Sequence, residues 1–111
     1  MKKEYSDIIN RFAIQANDIF GGNIVKVILY GSYARGDYNE HSDIDLMFLT
    51  TISEEQIRNE KNKLYDLAFD YEMDYGVDIS VTVKNIMDYQ YWLGAFPFYD
   101  NIEREGVVVH G

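Results

Sequence analysis

The chain has 111 residues, of which 47% are hydrophobic and 26% charged, so a disordered or collagen-like protein is excluded. Its length predicts one domain over residues 1–111, and its net charge of −9 disfavours direct nucleic-acid binding, which depends on Lys and Arg contacts to phosphate. The absence of cysteine excludes disulfides and thiolate zinc sites, and with no apolar run of membrane-spanning length we expect a cytoplasmic protein.

The first half of the chain predicts one helix and two strands. Apolar residues spaced three and four apart predict an amphipathic helix over Tyr5–Phe20, which glycines then end. Short β-branched runs predict strands over Ile24–Tyr30 and Asp43–Thr50. Only about a dozen residues join these strands, too few for a crossover helix, so the sheet is expected to be mixed and a Rossmann fold is disfavoured.

The second half predicts a long helix followed by short elements. A capping box begins at Ser53, and an apolar face then continues to a helix end near Gly76. Asp78–Val83 predicts a third strand. Two short helices over Ile86–Leu93 and Phe98–Glu105 and a last strand over Val107–Val109 complete the order. The fold class is therefore α/β, with a small mixed sheet flanked by helices.

Three aspartates are candidate metal ligands. Side chains alternate along a strand, so Asp43 and Asp45 share one face while Ile44 lies on the other. The third strand repeats this division with Asp78. If the two strands are neighbours the three carboxylates converge, and their repulsion then calls for a cation. Oxygen ligands without His or Cys indicate Mg²⁺ or Mn²⁺ over zinc.

The turn after the first strand, GSYARG, is a candidate phosphate loop. Gly31 would let the backbone approach an anion, and Ser32 adds a hydroxyl at the start of a short helix. The turn has neither the lysine of the Walker loop nor the spacing of the dinucleotide fingerprint. Arg35 is a secondary candidate for phosphate contact, with an ion pair to Asp37 as the structural alternative, and His41 is interpreted as a solvated turn residue.

The segment GSYARGDYNEHSDIDLMF, with VDIS downstream, resembles the nucleotidyltransferase superfamily that includes DNA polymerase β. Within it the chain is similar to the minimal nucleotidyltransferase (MNT) family, often the antitoxin partners of HEPN-domain proteins. The resemblance implies an enzyme with a DNA polymerase β-like core in which Asp43 and Asp45 hold two Mg²⁺ ions. Asp78 would complete the metal site and help deprotonate the acceptor, while Gly31 and Ser32 orient the β- and γ-phosphates of ATP.

The resemblance also implies an acceptor. We expect transfer of AMP from ATP to a hydroxyl, with tyrosine preferred, on a HEPN-type toxin that the protein neutralises. Two alternatives stay open, a small-molecule acceptor such as an aminoglycoside and a non-catalytic module that blocks its partner by occlusion. Larger members of the superfamily carry extra domains that hold the nucleobase or acceptor. In this protein we expect a second copy of the chain, in a homo-oligomer, or a different protein to supply the surface that holds the nucleobase or acceptor.

Aromatic residues are concentrated in one stretch near the end of the chain. They are Tyr89, Tyr91, Trp92, Phe96, Phe98 and Tyr99. We expect most of them to cover one face of the sheet as core, and any contiguous exposed remainder to form a partner surface.

Overall fold

The computed structural model describes residues 2–110, which form one sheet with helices on both faces. The elements are α1 (Lys3–Ile19), β1 (Ile24–Tyr30), α2 (Ser32–Arg35), β2 (Ile44–Thr50), α3 (Glu54–Tyr75), β3 (Ile79–Asn85), α4 (Ile86–Trp92), α5 (Pro97–Glu105) and β4 (Val107–His110). Each predicted element is present, with ends that differ from the prediction by at most two residues. Within this part of the chain, no helix combines the length and apolar character needed to cross a bilayer.

The sheet is mixed, as predicted. Its strand order is β3-β2-β1-β4, with β1 antiparallel to both β2 and β4 and with β2 parallel to β3. The long helix α3 makes the crossover that a parallel pair requires, whereas the β1–β2 connection holds only the single turn α2. In this register Asp45 lies between Tyr30 of β1 and Ser80 of β3.

Local signals fix both ends of α3. The Ser53 hydroxyl accepts a hydrogen bond from the Gln56 backbone amide at 3.2 Å, and the Gln56 side chain accepts one from the Ser53 amide at 3.1 Å. This is the predicted capping box. The helix ends at Gly76, whose φ of 69° is a left-handed conformation that glycine adopts without strain.

The main core lies between the sheet and the helices α1 and α3. Its buried side chains include Phe12, Ile44, Leu46, Phe48 and Leu64. Ile44, Leu46 and Phe48 alternate along β2, so the predicted core face is confirmed.

The face of the sheet that points away from α1 and α3 is less polar than the sequence suggested. Met47 and Leu49 follow Asp45 on that face and are buried with Ile28 in a second, smaller core. The helices α4 and α5 cover this core through Tyr89 and Ile102. The acidic part of the face is therefore confined to the end of the sheet where β2 begins.

The prediction that most of the aromatic stretch belongs to the core is wrong. Tyr89 is buried and Tyr99 half-buried, whereas Tyr91, Trp92, Phe96 and Phe98 are exposed. The second core is small, and α4 and α5 are short helices that each bury one face. The remaining aromatic rings are left at the surface.

Candidate active site

Two carboxylates stand together where β2 begins. Asp43 immediately precedes the strand and is exposed, and Asp45 is half-buried on the same face. Burial raises the pKa of Asp45, the charge of Asp43 raises it further, and Arg35 partly opposes both. The pair concentrates negative charge that a cation would stabilise.

Asp78 lies beside this pair, directly before β3. Its carbonyl oxygen accepts a hydrogen bond from the Ile44 amide at 2.8 Å, and the parallel register pairs Ile44 with Ile79. The expectation that the second and third strands are neighbours is confirmed. However, among residues 2–110 no three acidic, histidine or cysteine side chains form a ready metal cluster. Like charges repel, and the exposed Asp78 side chain is free to remain in solvent.

The Asp43 and Asp45 pair nevertheless fits Mg²⁺. This ion keeps several waters and is usually bound by one or two carboxylates together with substrate phosphates, without an all-protein cage. The pair supplies two hard oxygen donors, and the raised pKa of Asp45 marks a site where ionisation is costly without positive charge. The arrangement suits a metal ion that is shared with a phosphorylated substrate.

Gly31 brings the candidate phosphate loop against Asp45. Its φ of 74° and ψ of −153° belong to a region that is essentially restricted to glycine. A Cβ atom built on Gly31 would overlap the Oδ2 atom of Asp45. The backbone conformation therefore requires glycine, and a side chain at this position would displace the Asp45 carboxylate, so the loop lies directly against that carboxylate.

The loop continues into a single helical turn, as predicted. The Gly31 carbonyl accepts hydrogen bonds from the amides of Ala34 and Arg35, each at 3.1 Å. Ser32 is the first residue of this turn and is half-buried. Because Gly31 lies against Asp45, this turn begins beside that carboxylate, and the Ser32 hydroxyl and the early amides of the turn are donors of the kind that bind phosphate.

Arg35 is held by two acidic residues. Its Nε lies 3.2 Å from Asp37 Oδ2 and its Nη1 lies 3.6 Å from Glu105 Oε2. The hydrogen bond with Asp37 and the charges of both carboxylates raise the pKa of the guanidinium. The ion pair considered from the sequence is therefore present, and the role of Arg35 in binding phosphate stays a prediction.

Sequence reasoning assigned no role to Tyr30, which lies beside Asp45. Burial raises the pKa of its phenol, a hydrogen bond with the Thr82 side chain lowers it, and the charge of Asp45 raises it. The ring meets Phe98 of α5 edge-to-face, with centroids 5.8 Å apart. The sequence did contain a signal for Tyr30. It is the last residue of β1, directly before the glycine loop, and a residue at that position lies beside the start of an adjacent antiparallel strand.

His41 stands in the loop before the carboxylates and is exposed. Its backbone amide donates to Asn39 Oδ1 at 2.8 Å, and its Nε2 lies 3.5 Å from Glu40 Oε1. The interpretation of His41 as a solvated turn residue is confirmed.

A glycine turn that lies against a strand-borne carboxylate at one end of a mixed sheet agrees with the resemblance stated from the sequence. The profile of the nucleotidyltransferase domain family matches residues 9–108. The chain therefore belongs to the nucleotidyltransferase family, and its resemblance to the minimal, MNT-type members is confirmed.

Three similar proteins come from Methanocaldococcus jannaschii, and each is named "putative protein adenylyltransferase". One is 35% identical over 108 residues, which cover 96% of this chain and 99% of the relative. A second is 31% identical over 102 residues, covering 92% and 94%. The third is 30% identical over 79 residues, covering 71% of this chain and 54% of the relative.

Proposed function

We propose that this nucleotidyltransferase moves AMP from ATP, with Mg²⁺, to a tyrosine hydroxyl of a HEPN-type toxin in the cytoplasm, and so acts as its antitoxin. The observation that carries the proposal is the contact between Gly31 and Asp45, because it joins a phosphate loop to a carboxylate pair. The names of the three archaeal relatives support a protein as the acceptor.

Each part of the site has a task in this reaction. Gly31 and Ser32 hold the β- and γ-phosphates, and Asp43 and Asp45 hold the metal. When bound, Mg²⁺ stabilises the entering and leaving oxygens of an in-line displacement at the α-phosphorus. Asp78 accepts the proton of the acceptor hydroxyl and is exposed, so that an acceptor can reach it from solvent. The new bond joins the acceptor oxygen to the α-phosphorus, and pyrophosphate leaves.

An exposed aromatic patch, formed by Tyr91, Trp92 and Phe96, favours a protein acceptor. Ring centroids are 4.8 Å apart for Tyr91 and Trp92 and 5.0 Å apart for Trp92 and Phe96. The patch belongs to the α4–α5 layer on the same face of the sheet as Asp45, and it lies beside Lys84, at the end of β3 away from Asp45. Contiguous exposed apolar surface of this kind marks interaction sites.

The direct test incubates the protein with ATP labelled at the α-phosphate, Mg²⁺ and the product of the neighbouring gene as the candidate HEPN-type toxin. We expect label on a tyrosine of that product, loss of label with Asp43→Ala/Asp45→Ala, and unchanged labelling with Asp70→Ala, which removes an exposed acid from α3. Failure of the wild type to label the toxin would refute the proposal.

The same variants separate the two alternatives. If Asp43→Ala/Asp45→Ala neutralises the toxin as well as the wild type does, occlusion is the better account. If an aminoglycoside becomes adenylated and the toxin does not, the acceptor is a small molecule.

A further inference from the structure

One face of α5 is directed at the phosphate loop. Phe98, Asn101, Ile102 and Glu105 are spaced three, four and seven residues along the helix, so they share one face. This face and the residues Tyr30, Gly31 and Arg35 line a cleft of about 180 Å³. Pockets for whole small molecules usually begin near about 300 Å³, so this cleft suits one part of a larger ligand. We call it the α5 cleft.

The walls of the α5 cleft suit a flat ring with polar edges. Tyr30 and Phe98 provide apolar ring surface, with planes inclined at 85°. The Oδ1 atom of Asn101 accepts a hydrogen bond from Arg104 Nη2 at 2.6 Å, which leaves the Nδ2 group of Asn101 as the donor.

Glu105, one turn further along, is the complementary acceptor. Its carboxylate lies 3.6 Å from Arg35 Nη1 and 3.7 Å from Arg104 Nη2. A carboxylate has about four acceptor positions, so these contacts orient Glu105 without exhausting it. The cleft therefore offers a donor and an acceptor on adjacent turns of one helix.

We infer that the α5 cleft binds the base of the substrate nucleotide and selects adenine over guanine. This inference rests on the proposed function, because it takes the phosphates to lie at Gly31 and Ser32, and Gly31 lines the cleft. Adenine presents an acceptor, N7, next to a donor, the N6 amino group, and these match Asn101 and Glu105. Guanine presents two acceptors on the same edge, N7 and O6, and would set O6 against the Glu105 carboxylate.

Calorimetric titrations of the full chain with ATP, GTP and inorganic tripolyphosphate, all with Mg²⁺, test the inference. The wild type should bind ATP about fivefold or more tightly than GTP, given the discrimination typical of paired hydrogen bonds to a base. Phe98→Ala should weaken ATP binding about fivefold or more, as is typical when an aromatic contact to a base is removed. Binding of tripolyphosphate, which has no base, should stay unchanged.

Two further variants complete the design. Asn101→Ala should reduce the preference for ATP over GTP and leave tripolyphosphate binding unchanged. Phe69→Ala, which truncates an exposed ring on α3, is the matched control for Phe98→Ala and should change none of the three affinities. Circular dichroism melts establish that each variant is folded, as expected for side chains that are exposed in the native state.

The outcomes distinguish this inference from the proposed function. Equal affinity of the wild type for ATP and GTP, or equal losses of ATP and tripolyphosphate affinity in Phe98→Ala, would overturn the α5 cleft and leave AMP transfer standing. Selective loss of ATP affinity without any labelling of the toxin would support the cleft and refute the proposed acceptor. No measurable binding of ATP would overturn both.

Discussion

Two constraints act on Gly31, namely its backbone conformation and the close approach of Asp45. A comparison with Gly36 separates them. Both glycines have positive φ angles, 74° and 86°, so an alanine at either position strains the backbone. Only at Gly31 does an added Cβ overlap Asp45, since nothing lies within 4 Å of a Cβ at Gly36. The pair therefore distinguishes backbone strain from displacement of a carboxylate.

We predict that Gly31→Ala lowers AMP transfer by about 100-fold or more, the order of loss that follows small displacements of catalytic groups. Gly36→Ala should lose stability of about 1–3 kcal/mol from backbone strain and keep most of its activity when folded. Rates of transfer and urea unfolding curves measure the two effects. Equal activity losses in the two variants would show that strain alone accounts for the requirement at Gly31.

At the level of elements, one hydrogen bond ties α4 to α5. The Tyr89 hydroxyl donates to Glu103 Oε1 at 2.8 Å, and the Tyr89 side chain is 1% exposed. Burial, followed by this hydrogen bond and the charge of Glu103, raises the pKa of the phenol above its ordinary value of 10.0. The folded protein thus holds this proton more tightly than the unfolded chain does.

The sign of the pH effect follows from that difference. The stability that Tyr89 contributes is present below pH 10.0 and is lost as the pH rises above it, because ionisation is easier in the unfolded chain. We predict that Tyr89→Phe costs about 1 kcal/mol at pH 7 through the lost hydrogen bond. The variant should also lose less stability than the wild type between pH 10 and 11. Urea unfolding across this range measures both, and parallel pH profiles would contradict the assignment.

Features that short stretches of chain determine were predictable. The capping box at Ser53, the glycine after α3 and the alternation of Asp43 and Asp45 with Ile44 depend on a few neighbouring residues, and the structure has all three. The mixed sheet was predictable for a similar reason, because a connection of that length cannot hold a crossover helix.

Features that depend on packing between distant segments were not predictable. Met47 is buried because α4 and α5 pack on its face of the sheet. Trp92 is exposed because the core under these two helices is small. The α5 cleft was missed for the same reason, since Phe98 and Tyr30 are far apart in the sequence and meet only because α5 packs against β1. The spacing of residues in the sequence was enough to identify the carboxylates, whereas the residues around them became known only from the folded structure.

For the molecule as a whole, the proposed function predicts that the aromatic patch recognises the acceptor and takes no part in the chemistry. We predict that Trp92→Ala/Phe96→Ala raises the KM for the toxin about tenfold or more, as expected when buried aromatic anchors of an interface are truncated. The affinity for ATP should not change. Phe69→Ala/Met73→Ala, which removes exposed apolar side chains from α3, is the control and should leave the KM unaltered. Steady-state labelling at varied toxin concentration measures the KM, and an unchanged value in the first variant would exclude the patch as the docking surface.

The burial of Asp45 beside the charge of Asp43 also predicts a link between stability and substrate binding. The raised pKa of Asp45 means that the folded chain bears an electrostatic cost which the unfolded chain avoids. A ligand that binds only the folded state adds stability, about 2.7 kcal/mol at a hundred times its Kd. Magnesium and nucleotide together would supply that stability and relieve the repulsion as well. If Mg²⁺ and ATP bind as proposed, we therefore expect the loaded protein to resist proteolysis longer than the free chain.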